Sequence, residues 1–381
     1  MNRIFNIAGP CNHLKHYMID SQRRLGKDVF LLIDQEQYFV IHAARQSGKT
    51  TLLLELTKLI NEEGKYYALY CTLENIQTEP NAAIGIPAII RTIQAAVQDY
   101  NLPGASKLTI DAGSVDYQNA LERSLKSFCK SLDKPLVIFF DESDCLSGTT
   151  LISFLRQLRS GYVKRSLIPF VHSLALVGMR NIRDYRDEYR LPEQTLGSAS
   201  PFNIVNSYLT LRNFTREEIA ELYAQHTADA GQIFHDSAID LVWDQTQGQP
   251  WLANAIACEI IENITVENPL ETITADMVST AIQTLILQRG THFDSLMARL
   301  REERVRRIIE PILIGEIGDI SFDSDDYSYV KDLGLIRDDL GKIEPANPIY
   351  GDIIVRNLNR STQTEMSIRG YKYQMPRYIS G

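Results

Sequence analysis

The feature that most constrains the fold of this chain is an octapeptide that joins an apolar run to a helical pattern. Ala43–Thr50 reads AARQSGKT and departs from the phosphate-binding loop pattern G-x-x-x-x-G-K-[ST] only at its first position. The buried-strand pattern YFVIHA precedes the loop, and the helical pattern TTLLLELTKLINEEG follows it and ends at Gly64. The pattern requires a strand before the loop and a helix after it, so the sequence predicts a phosphate-binding loop.

The residues of this loop have separate tasks in phosphate binding. Gly48 lets the backbone approach the β-phosphate, Lys49 reaches the β- and γ-phosphates, and the Thr50 hydroxyl ligates Mg²⁺. Ala43 only starts the turn out of the strand, where a methyl group should be tolerated. The nucleotide-binding residues predicted from the loop and the start of the helix are Ala44, Arg45, Gln46, Ser47, Gly48, Lys49, Thr50 and Thr51.

A second, acidic motif follows another apolar run. The stretch KPLVIFFDE ends in Asp141 and Glu142. In P-loop enzymes an aspartate at this place holds the Mg²⁺ shell, and an adjacent glutamate can deprotonate the attacking water. An acidic residue after a buried strand is also a common helix N-cap, but here it follows a phosphate-binding loop. The pair predicts Asp141 and Thr50 as metal residues and Glu142 as the catalytic base.

Alternating strands and helices predict an α/β fold for the first half of the chain. Apolar runs and amphipathic stretches alternate from about residue 25 to 210, which is typical of βαβ units around a parallel sheet. The glutamate beside the aspartate favours the ASCE type of P-loop core, which has an extra central strand, over small GTPases. The predicted strands are 38–43, 66–74, 135–142 and 173–180, with 202–211 as a further candidate.

The second half of the chain predicts two further modules. Thr215 and Glu218 form a capping-box pattern at the start of a run of helices with no strand between them, which indicates a helical lid. An Arg-rich helix, an acidic helix and two short strands across DDLGK then suggest a winged helix-turn-helix. The predicted domains are 1–211 (ATPase), 212–291 (lid), 292–360 (winged helix) and 361–381 (tail).

Composition and charge exclude several classes of protein. The net charge of −9 does not suggest a protein that coats nucleic acid. The five cysteines are scattered and none has CxxC spacing, so neither a zinc site nor a disulfide framework is indicated. The N-terminus lacks a secretory h-region, and the longest apolar runs are far shorter than the roughly 20 residues that span a bilayer. We expect a cytoplasmic protein with reduced thiols, which binds no membrane.

The Arg-rich helix invites comparison with DNA-binding proteins. ARLREERVRR holds five arginines, but Glu302–Arg306 and Glu303–Arg307 have the spacing of helical ion pairs. The expected recognition helix, FDSDDYSYVKDLG, carries four aspartates and a single lysine, and would repel a phosphate backbone. This region therefore predicts protein contact or nucleotide gating, and DNA is not a favoured partner.

Several motifs together resemble a known family. The segments GPCNHLKHYM, YFVIHAARQSGKTTLL, VIFFDESD, LALVGMRNIRDY, SPFNI, GQPWLANAI and ANPIYGDII occur in an order similar to the bacterial AAA-like domain proteins, near the STAND and archaeal-type ATPases of the AAA+ superfamily. The resemblance covers nearly the whole chain. It implies an adenine nucleotide, ATP or ADP with Mg²⁺, and the absence of an N/T-K-x-D signature agrees with adenine rather than guanine.

The resemblance also implies roles outside the two motifs. Arg180 matches the sensor-1 place, where a charged side chain responds to the γ-phosphate, although an arginine at a strand end is also ordinary surface. Pro250 matches a Gly-x-Pro signature in which the proline packs on adenine. A loop glycine followed by a proline is also common at the start of a helix, however, as at Gly248 and Pro250. Neither Arg156 nor Arg159 stands out as an arginine finger, so turnover should be slow or depend on a partner.

Three functions remain open at this point. The first is a slowly hydrolysing ATP switch, in which the nucleotide changes the geometry between domains and thereby assembly with a protein partner or with another copy of the chain. The second is a DNA-associated AAA+ ATPase that uses its winged helix on duplex DNA. The third is a scaffold that keeps nucleotide as a structural ligand without hydrolysis.

Overall fold

The structure is a computed structural model in which the chain divides into two units. It describes residues 3–108, 117–178, 204–288, 293, 296, 298–314, 324–339 and 342–357. One unit is formed by Ala8–Asn213, and the other by Met1–Ile7 together with Phe214–Gly381. The predicted tail at 361–381 lies outside the described residues. The division into three domains stays a prediction.

A five-stranded parallel sheet forms the centre of the first unit. The strands follow the order β2-β3-β4-β1-β5, and each neighbouring pair is parallel. β4 lies between β1, which leads into the phosphate-binding loop, and β3, which ends at the acidic pair. This arrangement confirms the predicted extra central strand. The strand bounds are Tyr38–His42 (β1), Tyr67–Thr72 (β2), Leu136–Asp141 (β3), Ser173–Gly178 (β4) and Val205–Thr210 (β5).

Helices cover both faces of this sheet, as the near-continuous apolar strands require. Along β1, Tyr38 and Val40 face one apolar core, whereas Phe39 and Ile41 face the other. The first core also contains the inner faces of α3, α4 and α5, and the second contains those of α1 and α2. The helix bounds are Val29–Asp34 (α1), Lys49–Glu63 (α2), Ala82–Asp99 (α3), Ala120–Ser131 (α4) and Gly148–Val163 (α5).

The second unit begins with the predicted run of helices. The Thr215 hydroxyl accepts from the Glu218 N–H at 3.2 Å, and the Glu218 carboxylate accepts from the Thr215 N–H at 2.9 Å, which confirms the capping box. The helices are Arg216–Ala230 (α6), Asp236–Thr246 (α7), Pro250–Glu259 (α8) and Ala275–Gln288 (α9), with a π-helical turn at Ile260–Ile264 after α8.

The N-terminal residues pack into the same unit. Arg3 donates to both carboxylate oxygens of Asp229 at 3.0 and 3.1 Å. Phe5 is 4% exposed and meets Tyr223 edge-on, and the Trp251 Nε1–H donates to the Ile7 carbonyl at 2.8 Å. The chain therefore crosses covalently between the two units twice, at residues 7–8 and at residues 213–214.

The described residues of the C-terminal part include two helices and an antiparallel strand pair in the order expected from the sequence, followed by a helix that the sequence analysis did not predict. Their bounds are Glu303–Ile314 (α10), Asp325–Asp332 (α11), Ile336–Asp339 (β6), Lys342–Pro345 (β7) and 348–357 (α12). The tip of the strand pair, at 340–341, lies outside the described residues. The winged-helix assignment itself stays a prediction.

Carboxylates pair with much of the arginine charge on this part of the chain, as predicted, but one predicted pair is wrong. Arg307 lies 3.7 Å from Glu303 as expected, whereas Arg306 pairs with Glu310 at 2.9 Å. Glu302 instead bridges Arg299 at 2.8 Å and Arg304 at 3.3 Å. Glu302 precedes the first residue of α10, so its side chain is not held at the i,i+4 position of a continuing helix.

No helix within the described part of the chain has both the length and the apolar content needed to cross a membrane. All five cysteines are free thiols.

Candidate functional site

The predicted phosphate-binding loop joins the end of β1 to the start of α2. Gly48 is the N-cap of α2 with φ 90°, and no side chain caps the helix, so the N–H groups of its first turn are not taken by a capping side chain. Gln46 also has a positive φ, 57°. Alternation of left-handed and right-handed residues turns successive N–H groups to one side of the chain, which is the geometry of an anion-binding nest.

Ala43 occupies the first position of the loop without strain. It is 3% exposed, its N–H donates to the Gly178 carbonyl at 3.3 Å, and it is not among the residues with a positive φ. Because a glycine is required only where φ is positive or where space is absent, an alanine fits here. The expectation that a methyl group is tolerated is confirmed.

Lys49 lies inside the loop. Its side chain is buried, and Nζ donates to the Ala43 carbonyl at 3.0 Å and to the Ala44 carbonyl at 3.1 Å. Burial lowers the pKa of Lys49, and the nearby carboxylates of Glu142 and Asp144 oppose that effect. The ammonium group is therefore held in the concave side of the loop by weak neutral acceptors, which an anion can replace.

Thr50 and Asp141 bring the two motifs together. The Thr50 hydroxyl donates to Asp141 Oδ2 at 2.8 Å, and the Tyr70 hydroxyl donates to the same oxygen at 3.1 Å. The other carboxylate oxygen accepts from the N–H of Glu142 at 3.0 Å. Asp141 is only 1% exposed. A hydroxyl oxygen beside a buried carboxylate is a hard oxygen donor set, which suits Mg²⁺.

Glu142 leaves the strand in an unusual backbone conformation. Its φ is 52°, in the left-handed region, where a residue with a side chain carries a strain of about 1–3 kcal/mol. Burial raises the pKa of the Glu142 carboxyl, the charges of Asp144 and Asp141 raise it further, and Lys49 opposes them. A carboxyl with a raised pKa holds a proton more strongly than a free glutamate, as a general base should.

Asp144 and Cys145, which follow the acidic pair, lie close to Glu142. Glu142, Asp144 and Cys145 have ligand atoms within 4.8 Å of one another. The Cys145 thiol lies 4.0 Å from Glu142 Oε2, and burial together with these carboxylates raises the thiol pKa to about 12. A Cβ on Gly178 would lie 2.5 Å from Asp144 Oδ1, so the end of β4 needs a glycine to admit this side chain.

The structure gathers most, but not all, of the predicted site residues. The loop residues, Asp141 and Glu142 lie together at the carboxyl edge of the sheet. Thr51 is buried, and its hydroxyl accepts from the Cys11 N–H at 3.0 Å. Arg180 lies outside the described residues. Pro250 is the first residue of α8 in the other unit, so its contact with adenine stays a prediction.

Sequence reasoning missed three groups that the structure places at this site. Tyr70 could have been found, because it lies near the carboxyl end of β2, next to β3 in a parallel sheet. The Cys11 N–H contacts Thr51 through the main chain, so a pattern of side chains cannot predict this contact. Arg24 donates to the Ser47 carbonyl at 2.7 Å. It lies in a polar turn whose sequence is typical of an exposed surface.

Comparison with known proteins gives the fold. No protein-family model matches the chain, and no curated protein matches its sequence. The Walker-type ATPase PABY2304 of Pyrococcus abyssi matches with a TM-score of 0.60 at 13% identity, over 92% of this chain and 99% of that one. The chain therefore shares the fold of this Walker-type ATPase, which confirms the predicted α/β core.

Two other solved structures match less well. Cdc6p from Pyrobaculum aerophilum has a TM-score of 0.48 at 14% identity, over 87% of this chain and 92% of that one. The RuvB Holliday junction branch migration motor of Thermotoga maritima has a TM-score of 0.41 at 12% identity, over 91% and 92%.

Proposed function

We propose that this protein binds ATP and ADP with Mg²⁺ at the loop Ala43–Thr50 and hydrolyses ATP slowly. The observation that carries the proposal is the convergence of Lys49, Thr50, Asp141 and Glu142 at the edge of an ASCE-type sheet. Each member of this set has a distinct chemistry: a cation, a hydroxyl, a buried carboxylate and a carboxyl with raised pKa. Phosphoryl transfer needs all four, because its catalysis is mainly positioning and charge stabilisation.

The tasks of these residues follow from their positions. The N–H groups of the loop and the Lys49 ammonium bind the phosphates, and Thr50 and Asp141 would hold Mg²⁺, which neutralises phosphate charge when bound. Glu142 takes a proton from the attacking water. Tyr70 donates to the Asp141 carboxylate at 3.1 Å and so fixes its orientation.

We further propose that the nucleotide acts as a switch of the STAND type. Two covalent crossings join the units, and a residue close to each has a contact that leads to the loop or its helix. The first contact is direct, and the second runs through Arg24, which donates to the Ser47 carbonyl. Cys11, four residues after Ile7, donates to Thr51, and Arg212, two residues before Phe214, accepts from Arg24. Changes in the loop can therefore act on both connections. The output would be assembly with a protein partner or with another copy of the chain.

A function on duplex DNA is not proposed, because the observed contacts do not favour it. Carboxylates pair with four of the arginines of ARLREERVRR: Arg299, Arg304, Arg306 and Arg307. In addition, Asp326 at the start of α11 lies 3.2 Å from Arg307. Arginines engaged in this way release few counterions from a phosphate backbone.

The first test is nucleotide binding by a variant of Lys49. We expect Lys49→Ala to weaken ADP binding by about 10–100-fold, because a charge-assisted contact to phosphate is lost. Lys58→Ala is the matched control, since Lys58 lies on the same helix, is exposed and pairs with the exposed Glu62 at 3.8 Å. Titration calorimetry with ADP and Mg²⁺ measures both. Equal affinity in wild type and Lys49→Ala would contradict the proposal.

The raised pKa of Glu142 predicts a pH dependence of hydrolysis. The base acts only when deprotonated, and burial with Asp144 and Asp141 raises its pKa above the ordinary 4.5. At saturating ATP, turnover should therefore fall as the pH drops through this raised pKa, at a pH above that of a free glutamate. Turnover measured from about pH 8 downwards checks this, with thermal unfolding as the control for a folded protein. A rate that is flat down to pH 4.5 would count against Glu142 as the base.

A further inference from the structure

Arg24 is a buried arginine that touches the outside of the phosphate-binding loop. Its side chain comes from the short 3₁₀ turn Ser21–Arg24, and the residue is 2% exposed. Nη2 donates to the Ser47 carbonyl at 2.7 Å, and Nε donates to the Arg212 carbonyl at 2.8 Å. One rigid guanidinium thus joins the loop to the segment that follows β5.

The hydrogen bond to Ser47 fixes more than one carbonyl. The Ser47–Gly48 peptide is trans, so its C=O and N–H point in opposite directions from one plane. Because the carbonyl faces Arg24, the Gly48 N–H points away from Arg24. This N–H is one of the donors that a bound phosphate needs. Arg24 therefore sets the direction of the Gly48 N–H, although Arg24 itself does not bind the phosphate.

The main chain around Arg24 holds the guanidinium in place. The Arg212 N–H donates to the Arg24 carbonyl at 3.2 Å, and Leu25 forms an antiparallel bridge with Leu211. These contacts tie the turn to the end of the central sheet. Arg24 also lies close to Gly48 itself, since a Cβ added to Gly48 would lie 3.3 Å from Arg24 Nη1. A planar guanidinium holds its donors in fixed directions on a rigid fork, whereas a lysine presents its donors from one nitrogen on a flexible stem.

We propose that Arg24 is a positioning residue for the phosphate cradle, orienting the Gly48 N–H through the Ser47 carbonyl. This inference rests on the proposed nucleotide site. It concerns the β-phosphate in particular, because Gly48 is the loop residue that lets the backbone approach that phosphate. A ligand without a β-phosphate should not depend on Arg24.

The test compares ADP with AMP in three variants at a temperature well below unfolding. Arg24→Met should weaken ADP binding by about tenfold or more and leave AMP binding within about twofold, so that the preference for ADP shrinks. Arg24→Lys should also weaken ADP binding, since it keeps the charge but loses the fixed directions of the guanidinium donors. Arg23→Met is the matched control, because Arg23 is the exposed neighbour in the same turn, and its binding should equal that of the wild type.

The possible outcomes separate the two proposals. If Arg24→Met does not fold, Arg24→Lys carries the comparison. ADP binding within twofold of wild type in the Arg24 variants, or an equal loss for ADP and AMP, would overturn the positioning role. Failure of the wild type to bind ADP, or full binding by Lys49→Ala, would instead overturn the proposed nucleotide site.

Discussion

Replacing Glu142 with glutamine should lower ATP turnover by about 10²–10⁴-fold, which is the range for loss of a general base. The amide keeps the size and shape of the carboxyl but cannot accept a proton from water. Nucleotide binding should stay within about threefold, because the phosphate contacts come from the loop and not from Glu142. Steady-state phosphate release and ADP titration on the same preparation measure the two effects.

The control for this variant must remove the same charge without removing the base. Glu74 serves, because its charge acts on Glu142 and its side chain is exposed at the end of the neighbouring β2. Glu74→Gln should turn over ATP within about twofold of the wild type. Wild-type turnover in Glu142→Gln would show that another group activates the water. Absence of turnover in the wild type, with ADP still bound, would leave only the scaffold function.

The core of the site could be predicted from the sequence because each motif is local. AARQSGKT lies between a strand pattern and a helix pattern, and the acidic pair directly follows the apolar run VIFF. These local patterns were enough to predict the roles of Lys49, Thr50, Asp141 and Glu142. The sequence also predicted the extra central strand, because a glutamate beside the aspartate favours the ASCE type of P-loop core. Pairing across one parallel sheet then places Thr50 beside Asp141, 91 residues later.

The remaining groups depend on tertiary contacts that leave no pattern. Arg23 is exposed and Arg24 is buried, but the sequence SQRR does not distinguish these two neighbouring arginines. The partner of Glu302 was wrong because the spacing was counted as if the helix already included that residue, whereas α10 begins at Glu303. The left-handed φ of Glu142 likewise has no signal in the sequence, since glutamate has no intrinsic preference for it.

Replacing Gly248 with alanine should strongly destabilise the second unit. Gly248 has a φ of +72°, and a Cβ there would lie 1.9 Å from the Phe214 carbonyl oxygen, a distance that only backbone movement can relieve. The Phe214 N–H also donates to the Gly248 carbonyl at 2.8 Å, so the movement would break that bond. Left-handed strain alone costs about 1–2 kcal/mol. With the clash and the lost hydrogen bond, we expect a total loss of about 3 kcal/mol or more.

Two other glycines of this unit separate the contributions. Gly351 has no positive φ and only contacts of 3.6 Å with Pro345, and it lies in α12, so Gly351→Ala should be neutral or stabilise by up to about 1 kcal/mol. Gly231 has a φ of +77° and one contact at 3.5 Å, so Gly231→Ala should show the strain alone. Thermal and urea unfolding should therefore rank the three variants in the order Gly351, Gly231, Gly248, from least to most destabilised. Equal losses in the free energy of unfolding for Gly231→Ala and Gly248→Ala would mean that the backbone at Phe214 and Gly248 moves without cost. The Gly-x-Pro sequence would then be explained by helix initiation at Pro250 alone.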